Sequence, residues 1–276
     1  MLADSLPLIS CVTVTTGRVE HIKRSVACYL AQTYPNKELI IVSQGSAADN
    51  ALIQSHISGL NRGDVFFFEA SPRLCLGAMR NLSCEIATGD IICQWDDDDL
   101  YHPVRLMFQY KSIRSDSNGV ASAYCAFLKY FSQSNEMYWC DWRGEGRPLS
   151  RYLPGSVMFY KTVFFKCGSL LYPENGDQCH VEEDLNVLGQ LFRYGRVVPL
   201  FEAYHYVYSY HGENTYDLDH HRLTLLTNSG KTIMSAEQIL ERRLVLEETF
   251  GLIGIGAVDM RSLDGPIFSW SLLNKT

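Results

Sequence analysis

The chain lacks any run approaching about 18 apolar residues, so nothing in it reads as a membrane-spanning helix. It also lacks a basic excess. Its 24 Lys and Arg stand against 31 Asp and Glu, for a net charge of -7, and the basic residues are scattered. Backbone binding to nucleic acid requires a basic face, so no nucleic-acid partner is expected. There is no C-x-x-C pair, no internal repeat, no nucleophile elbow and no Cys/His pairing. Met1 to Pro7 contains Asp4 and has neither a basic start nor a cleavage pattern, so it does not read as a signal peptide. The nine cysteines are an odd number, and Cys11, Cys28, Cys84 and Cys93 lie inside apolar segments. That argues for reduced, buried thiols and a cytoplasmic setting, with no disulfide framework or zinc site. The sequon Asn81-Leu82-Ser83 then carries no glycosylation meaning.

What is present is more specific. With 46% hydrophobic residues over 276 positions, the chain can bury one large or two small cores. Asp96 to Asp99 form an unbroken run of four acids directly after the apolar segment Ile91-Ile92-Cys93-Gln94-Trp95. Four adjacent carboxylates at the tip of a buried strand repel one another. A divalent cation carrying phosphate oxygens relieves that repulsion, because hard ions take carboxylate and phosphate ligands. The plainer alternative is a solvated acidic turn.

The first hundred residues alternate between strand and helix patterns. Strands are expected at Leu8–Val14, Leu39–Val42, Val65–Phe68 and Ile91–Trp95. A helix with Val19, Ile22, Val26 and Leu30 on one face follows the first strand. Ser43-Gln44-Gly45-Ser46 reads as a turn that caps the next helix. Arg73–Ala87 reads as a helix closed by Thr88-Gly89, with Gly89 as C-cap. Continuous apolar strands between amphipathic helices argue for a mostly parallel sheet covered on both faces. Ligands bind beyond the carboxyl ends of such strands, where the turns at Thr15 and Ser43 and the acids at Asp96 all fall.

Pro103–Ile113 is expected as a further helix, with Leu106, Tyr110 and Ile113 toward the core. Strands are expected over 119–130, 137–142, 155–160, 197–200 and 204–210, with a polar loop over 141–152 and a helix over 182–194. Ser235–Glu248 reads as a charged amphipathic helix, followed by an apolar tail from Phe250 to Leu273.

Three blocks then match a known pattern in order and spacing: Pro7-Leu8-Ile9-Ser10, Leu30 to Val42 (LAQTYPNKELIIV), and Ala87-Thr88-Gly89-Asp90 leading into Asp96-Asp97-Asp98-Asp99-Leu100. Together they closely resemble family 2 glycosyltransferases, and the likeness continues weakly to about residue 211. That resemblance implies the GT-A fold, a Rossmann-like, mostly parallel central sheet with helices on both faces. It also implies inverting, metal-dependent transfer of a hexose from a nucleotide sugar. The resemblance puts Thr15, Thr16 and Arg18 beside the nucleotide base and Arg80 near the nucleotide. Asp96 and Asp98 take the two ends of the acid-any-acid signature. Asp98 is the expected direct ligand of Mn2+ or Mg2+, Asp96 lies nearer ribose and metal, Asp97 is on the nucleotide-sugar side, and Asp99 is a support.

Glu182-Glu183-Asp184 resembles the family's Glu-Asp pair, in which the Asp is the base; Glu183 competes with Asp184 for that role. His211 resembles a late histidine found near diphosphate or metal. His180, Glu182 and Trp142 are expected toward the acceptor, with Trp139 a further stacking candidate. One departure stands out: where the family usually has acids after the second strand, this chain has Ser43 and Gln44. Both can hydrogen-bond a base edge but neither is charged, and a UDP-sugar is still the first expectation.

The expected organisation is a GT-A domain over 1–230 and a C-terminal helical extension over 231–276. The extension either covers the core, forms a dimer contact or lies on a membrane surface; its acidic helix makes the last the weakest. Expected partners are a nucleotide diphosphate sugar donor and a saccharide or lipid-linked saccharide acceptor, at the inner face of the membrane if peripheral. The alternatives are a catalytically weak or inactive nucleotide- or saccharide-binding protein of the same fold, and a nucleotide-sugar hydrolase.

Overall fold

The computed structural model describes residues 6–143, 148–166, 172–226 and 232–275. Part of the expected loop 141–152 and the expected boundary at residue 230 lie outside them. The elements begin with β1 (Ile9–Thr15), α1 (Val19–Leu30), β2 (Lys37–Ser43), α2 (Ala47–Gly59), β3 (Val65–Glu69), α3 (Leu76–Ile86) and β4 (Ile91–Gln94). Next come β5 (Leu100–Tyr101), α4 (Arg105–Ser115), β6 (Gly119–Tyr124), β7 (Ala126–Phe131), β8 (Glu136–Asp141), β9 (Met158–Tyr160) and α5 (Lys161–Lys166). The remainder is α6 (Glu183–Tyr194), β10 (Arg196–Leu200), β11 (Tyr206–Tyr210), α7 (Leu218–Leu226), β12 (Thr232–Ile233), α8 (Ala236–Glu241), α9 (Arg243–Leu252), β13 (Ala257–Ser262) and β14 (Gly265–Ser271).

These elements fall into two compact units. The first takes Met1–Asp98, Leu106–Ala123 and Pro154–Val198; the second takes Asp99–Arg105, Tyr124–Leu153 and Pro199–Thr276. One sheet has the order β10-β6-β9-β4-β1-β2-β3. Its β4, β1, β2 and β3 are mutually parallel, and β9 runs antiparallel to β4. Every residue of β1 is buried, as a strand covered on both faces requires. The register pairs Thr15 with Ser43 and Ser43 with Glu69, so the carboxyl ends of β1, β2 and β3 reach one edge together. Trp95, fully buried, fixes where β4 leaves the sheet: its N–H donates to Val12 O at 3.0 Å and its indole N–H to Ser25 O at 3.3 Å.

Several expectations change in detail. The buried face of α1 is Ile22, Val26 and Tyr29, while Leu30 is exposed. The cap of α2 is as expected, Ser46 Oγ accepting from Asp49 N. Gly89 does not cap α3, which ends at Ile86 with Ala87 as its C-cap. Glycine is needed there because a Cβ would lie 2.6 Å from Leu8 O and Ser10 Oγ. Asn81 is buried and tied to the backbone of Tyr172, so the sequon is an internal brace.

The second sheet has the order β14-β13-β8-β7-β11-β5, with β12 on β8. The single strand expected over 119–130 is two, β6 and β7. The helix expected over 235–248 is also two, and Ser235 opens the first through a capping box with Gln238. The apolar tail is a hairpin, β13–β14, whose alternating burial puts Val258, Met260, Phe268 and Trp270 inside. Among the described residues, no helix is long and apolar enough to cross a membrane. None of the cysteines among them is joined in a disulfide.

Candidate active site

The loops after β1 and β2 are laced together before any functional side chain is considered. Gln44 N–H donates to Thr15 O at 2.9 Å, and a Cβ on either Gly17 or Gly45 would sit 2.6 Å from the other's Cα. Gly17, at φ +93°, also needs the left-handed region. Two glycines therefore let two backbones touch, which sets the shape of the edge next to Thr16 and Arg18.

The acids emerge beside this edge with alternate burial. Asp97 and Asp99 are each 1% exposed, whereas Asp96 and Asp98 are partly open. Arg18 bridges Asp97 and Asp98, donating from Nε to Asp97 at 3.2 Å and from Nη1 to Asp98 at 3.1 Å. Burial, then the neighbouring Asp98, pushes the Asp97 carboxyl up to about 6, with Arg18 opposing. Asp99 belongs to the second unit, where it accepts from Tyr206 OH at 2.6 Å and Ser209 N–H at 2.8 Å and anchors the start of β5.

Arg80, on α3, is buried beside Asp96. It donates from Nη1 to Asp96 and from Nε to Glu183, both at 2.9 Å. Burial disfavours its charge, but Asp96 and Glu183 more than offset that and hold its pKa well above the ordinary value. Gln94, fully buried, braces Asp96 from the other side with Nε2 at 3.2 and 3.3 Å from the two carboxylate oxygens, and its Oε1 accepts from Tyr172 OH at 3.1 Å.

At the start of α6 the three acids divide their roles. Glu182 is exposed and left-handed, at φ +60°, a costly conformation for a residue with a side chain. Glu183 is buried against Arg80. Asp184 has no guanidinium within bonding distance among the described residues and accepts only its neighbour Leu185 N–H, at 2.7 Å. Burial, then Glu183 and Asp96, raises its carboxyl to about 7, with Arg80 opposing. A helix N-terminus favours an anion by about 0.3–1 kcal/mol, less than one pKa unit at 1.36 kcal/mol. Burial and like charge outweigh it here.

These residues meet at Gly155. A Cβ there would lie 2.8 Å from Asp96 Oδ2, 3.4 Å from Gln94 Nε2 and 3.6 Å from Asp184 Oδ2. The missing side chain is the space between the two carboxylates.

A family model described as Glycosyl transferase family 2 matches residues 10–172, more than half of the chain. The chain belongs to that family. It is 26% identical over 167 residues to a glucosyl-dolichyl phosphate glucuronosyltransferase of Haloferax volcanii, covering 56% of this chain and 53% of that one. The chain spans about half the length or less, 36% to 53%, of the curated relatives it matches. Two solved structures share the fold. One is a Pyrobaculum calidifontis mannosyltransferase in complex with GDP-Man and Mn2+, at TM-score 0.56 and 14% identity, covering 76% of this chain and 59% of that one. The other is S. aureus TarS 1–349 in complex with UDP-GlcNAc, at TM-score 0.56 and 15% identity, covering 91% and 66%. The fold is GT-A, as the resemblance implied.

Within this family 2 chain, the residues of the first unit divide between those open to a ligand and those spent on structure. Thr16 is exposed, but Thr15 is buried, its Oγ1 accepting from Gly17 and Arg18 N–H at 3.3 Å. Ser43 is fully buried and donates to Asn50 Oδ1 at 2.7 Å, so its hydroxyl braces the loop. Gln44 Nε2 donates to Ser71 O and Leu74 O, each at 2.7 Å. The two positions where acids were expected thus hold their loops in place. His180 is exposed next to the buried Cys179.

In the second unit, His211 Nδ1 accepts from the Glu213 backbone N–H at 3.3 Å, and the His211 backbone N–H donates to Asn214 Oδ1 at 2.9 Å. Trp142, expected to face an acceptor, is 9% exposed and packed edge-on against Phe127 at 4.7 Å, so a core neighbour occupies its ring. Sequence reasoning assigned no role to Gln94, Tyr172 or Gly155. Only Gln94 left a signal, as a lone amide in an apolar strand two positions before Asp96, on the same face.

The donor set suits a hard divalent ion. Asp96 and Asp98 are carboxylates on the open side of the run, and Mg2+-type ions bind through one or two carboxylates plus substrate phosphates. Among the described residues no three His, Cys, Asp or Glu side chains gather into an all-protein cage.

Gly155→Ala tests the convergence. Its Cβ would press on Asp96, which Arg80 and Gln94 hold from two sides, so the carboxylate has little room to yield. Turnover is expected to fall on the order of 10²-fold and the melting temperature by a few degrees, from an overpacking cost of about 1–3 kcal/mol, as read by initial rates and calorimetry.

Proposed function

We propose that the chain moves a hexosyl group from a nucleoside diphosphate sugar, with a UDP-sugar as first choice, to a hydroxyl of a glycan or lipid-linked saccharide, with inversion. The observation that carries this reading is Asp184, a carboxyl raised to about 7 and reaching the same point above Gly155 as Asp96. A base poised near neutrality is what removal of a hydroxyl proton needs.

In the reaction, the acceptor oxygen forms its bond to the anomeric carbon while its proton passes to Asp184. The bond from that carbon to the phosphate oxygen breaks on the opposite side, and its electron pair leaves with the nucleoside diphosphate. Asp98 and Asp96 would hold Mn2+ or Mg2+, which neutralises the charge of the leaving diphosphate. Arg80 fixes Asp96 and Glu183, so that of the α6 acids only Asp184 remains for proton transfer. Thr16, Gln44 and Arg18 border the nucleotide. His180 and Glu182, exposed just before Asp184, face the acceptor.

The test needs no acceptor, because water replaces it slowly. Incubation with UDP-, GDP- and dTDP-hexoses and Mn2+ is expected to release one nucleoside diphosphate selectively. Proton NMR would show free sugar of the opposite anomeric configuration. Release with retained configuration would refute inversion, and no release or binding of any donor would refute transfer.

A further inference from the structure

The second unit contains a cavity of about 310 Å³ lined by Trp139, Phe201 and Tyr204 together with Met234 and a polar set. This is at the lower end of small-ligand sites, roughly 300–1,000 Å³. Its charged lining is Arg143, Arg242, Glu202 and Glu241, and Arg143 is paired with Asp141 behind it. An anionic nucleotide gains nothing from a site with no excess of positive charge. A ligand carrying many neutral hydroxyls does, because carboxylates accept from hydroxyls and guanidinium groups donate to them.

The groups are also pre-set. Asp141 accepts from Arg143 Nε at 2.7 and 2.9 Å, and the guanidinium lies 5.1 Å over the Phe201 ring. Glu202 is turned by accepting the Phe201 N–H at 3.2 Å. Burial, then Glu202, raises the Tyr204 phenol above its ordinary value while Arg242 opposes, so these polar tips act on one another. Phe201 nevertheless leaves 39% of its surface open. An exposed aromatic beside oriented hydrogen-bonding groups suits a ligand with one apolar face and one polar edge.

We propose that this cavity is a binding site for a neutral oligosaccharide. It is built by β8, the segment after β10 and α8, all in the second unit, and shares no residue with the nucleotide-sugar site. The proposal rests on the glycosyl-transfer reading only for the origin of the saccharide, which would be a glycan that the enzyme extends or has extended.

The test is titration of the full chain with maltotriose, cellotriose, mannotriose and triacetylchitotriose, followed by tryptophan fluorescence and saturation-transfer NMR, with trigalacturonate as the charged comparison. At least one neutral trisaccharide is expected to bind, and trigalacturonate to bind more weakly. Phe201→Ala and Glu241→Gln, both at exposed positions, should each weaken binding about tenfold. Asp96→Asn, Asp184→Asn and added UDP with Mn2+ should leave it unchanged. Absence of binding by every neutral trisaccharide would overturn the site, as would binding that survives both cavity variants or is displaced by UDP. Failure of every nucleotide to bind while the trisaccharide still does would remove the transfer reading and leave this one standing.

Discussion

Asp184→Asn is expected to lower turnover by about 10²–10⁴-fold, the usual contribution of a general base, with donor affinity within a fewfold of the parent. Asn keeps the shape and removes the proton acceptor. The pH dependence follows from the same carboxyl. With its pKa raised to about 7, the base is protonated below that value, so kcat falls as pH drops through about 7.

The stability effect has the opposite sense. A carboxyl whose folded pKa lies above its unfolded value of about 3.9 binds its proton more tightly in the folded state. It therefore costs stability as pH rises from about 4 to about 7. Without nucleotide or metal, Asp184→Asn should melt at a higher temperature than the parent at pH 8, the difference shrinking toward pH 4. Full activity of the variant, or a lower melting temperature at pH 8, would show that the carboxyl is neither the base nor strained by burial.

Removal of the Arg80 guanidinium carries the largest stability effect. Its side chain is buried with Asp96 and Glu183 bound to it, and Asp184 adds to the surrounding negative field. Breaking a buried pair while leaving its partner charged costs about 3–5 kcal/mol. Arg80→Ala is thus expected to lower the melting temperature on the order of 10 °C and to abolish donor binding. Arg80→Lys should restore little of either, because one ammonium does not reproduce the two-sided geometry. Pairing Arg80→Met with Glu183→Gln should recover part of the lost stability and none of the activity. A melting temperature within two degrees or so of the parent for Arg80→Ala would refute the central role of this arginine.

The parallel sheet and its ligand-bearing edge were readable because β1, β2 and β4 are buried on both faces and announce themselves as apolar runs with polar ends. Local sequence could not separate the four aspartates, since that depends on Arg18, Arg80 and Tyr206, which reach them from distant segments. Gly155 was illegible for the same reason: its importance lies in a contact with residues 96 and 184, not in its neighbours along the chain. The β13–β14 hairpin left a usable signal in Asp264-Gly265 between alternating apolar positions. The apolar composition of that segment masked it. Ser43 and Gln44 looked like weakened base contacts, yet their side chains are committed to Asn50, Ser71 and Leu74.

The most direct test is calorimetric titration of the protein with UDP, GDP and dTDP and their sugars, with and without Mn2+. Metal-dependent binding selective for one base, lost in Asp98→Ala, is the expected result. Binding of no nucleotide under any condition would contradict a donor site at the Asp96–Asp98 edge.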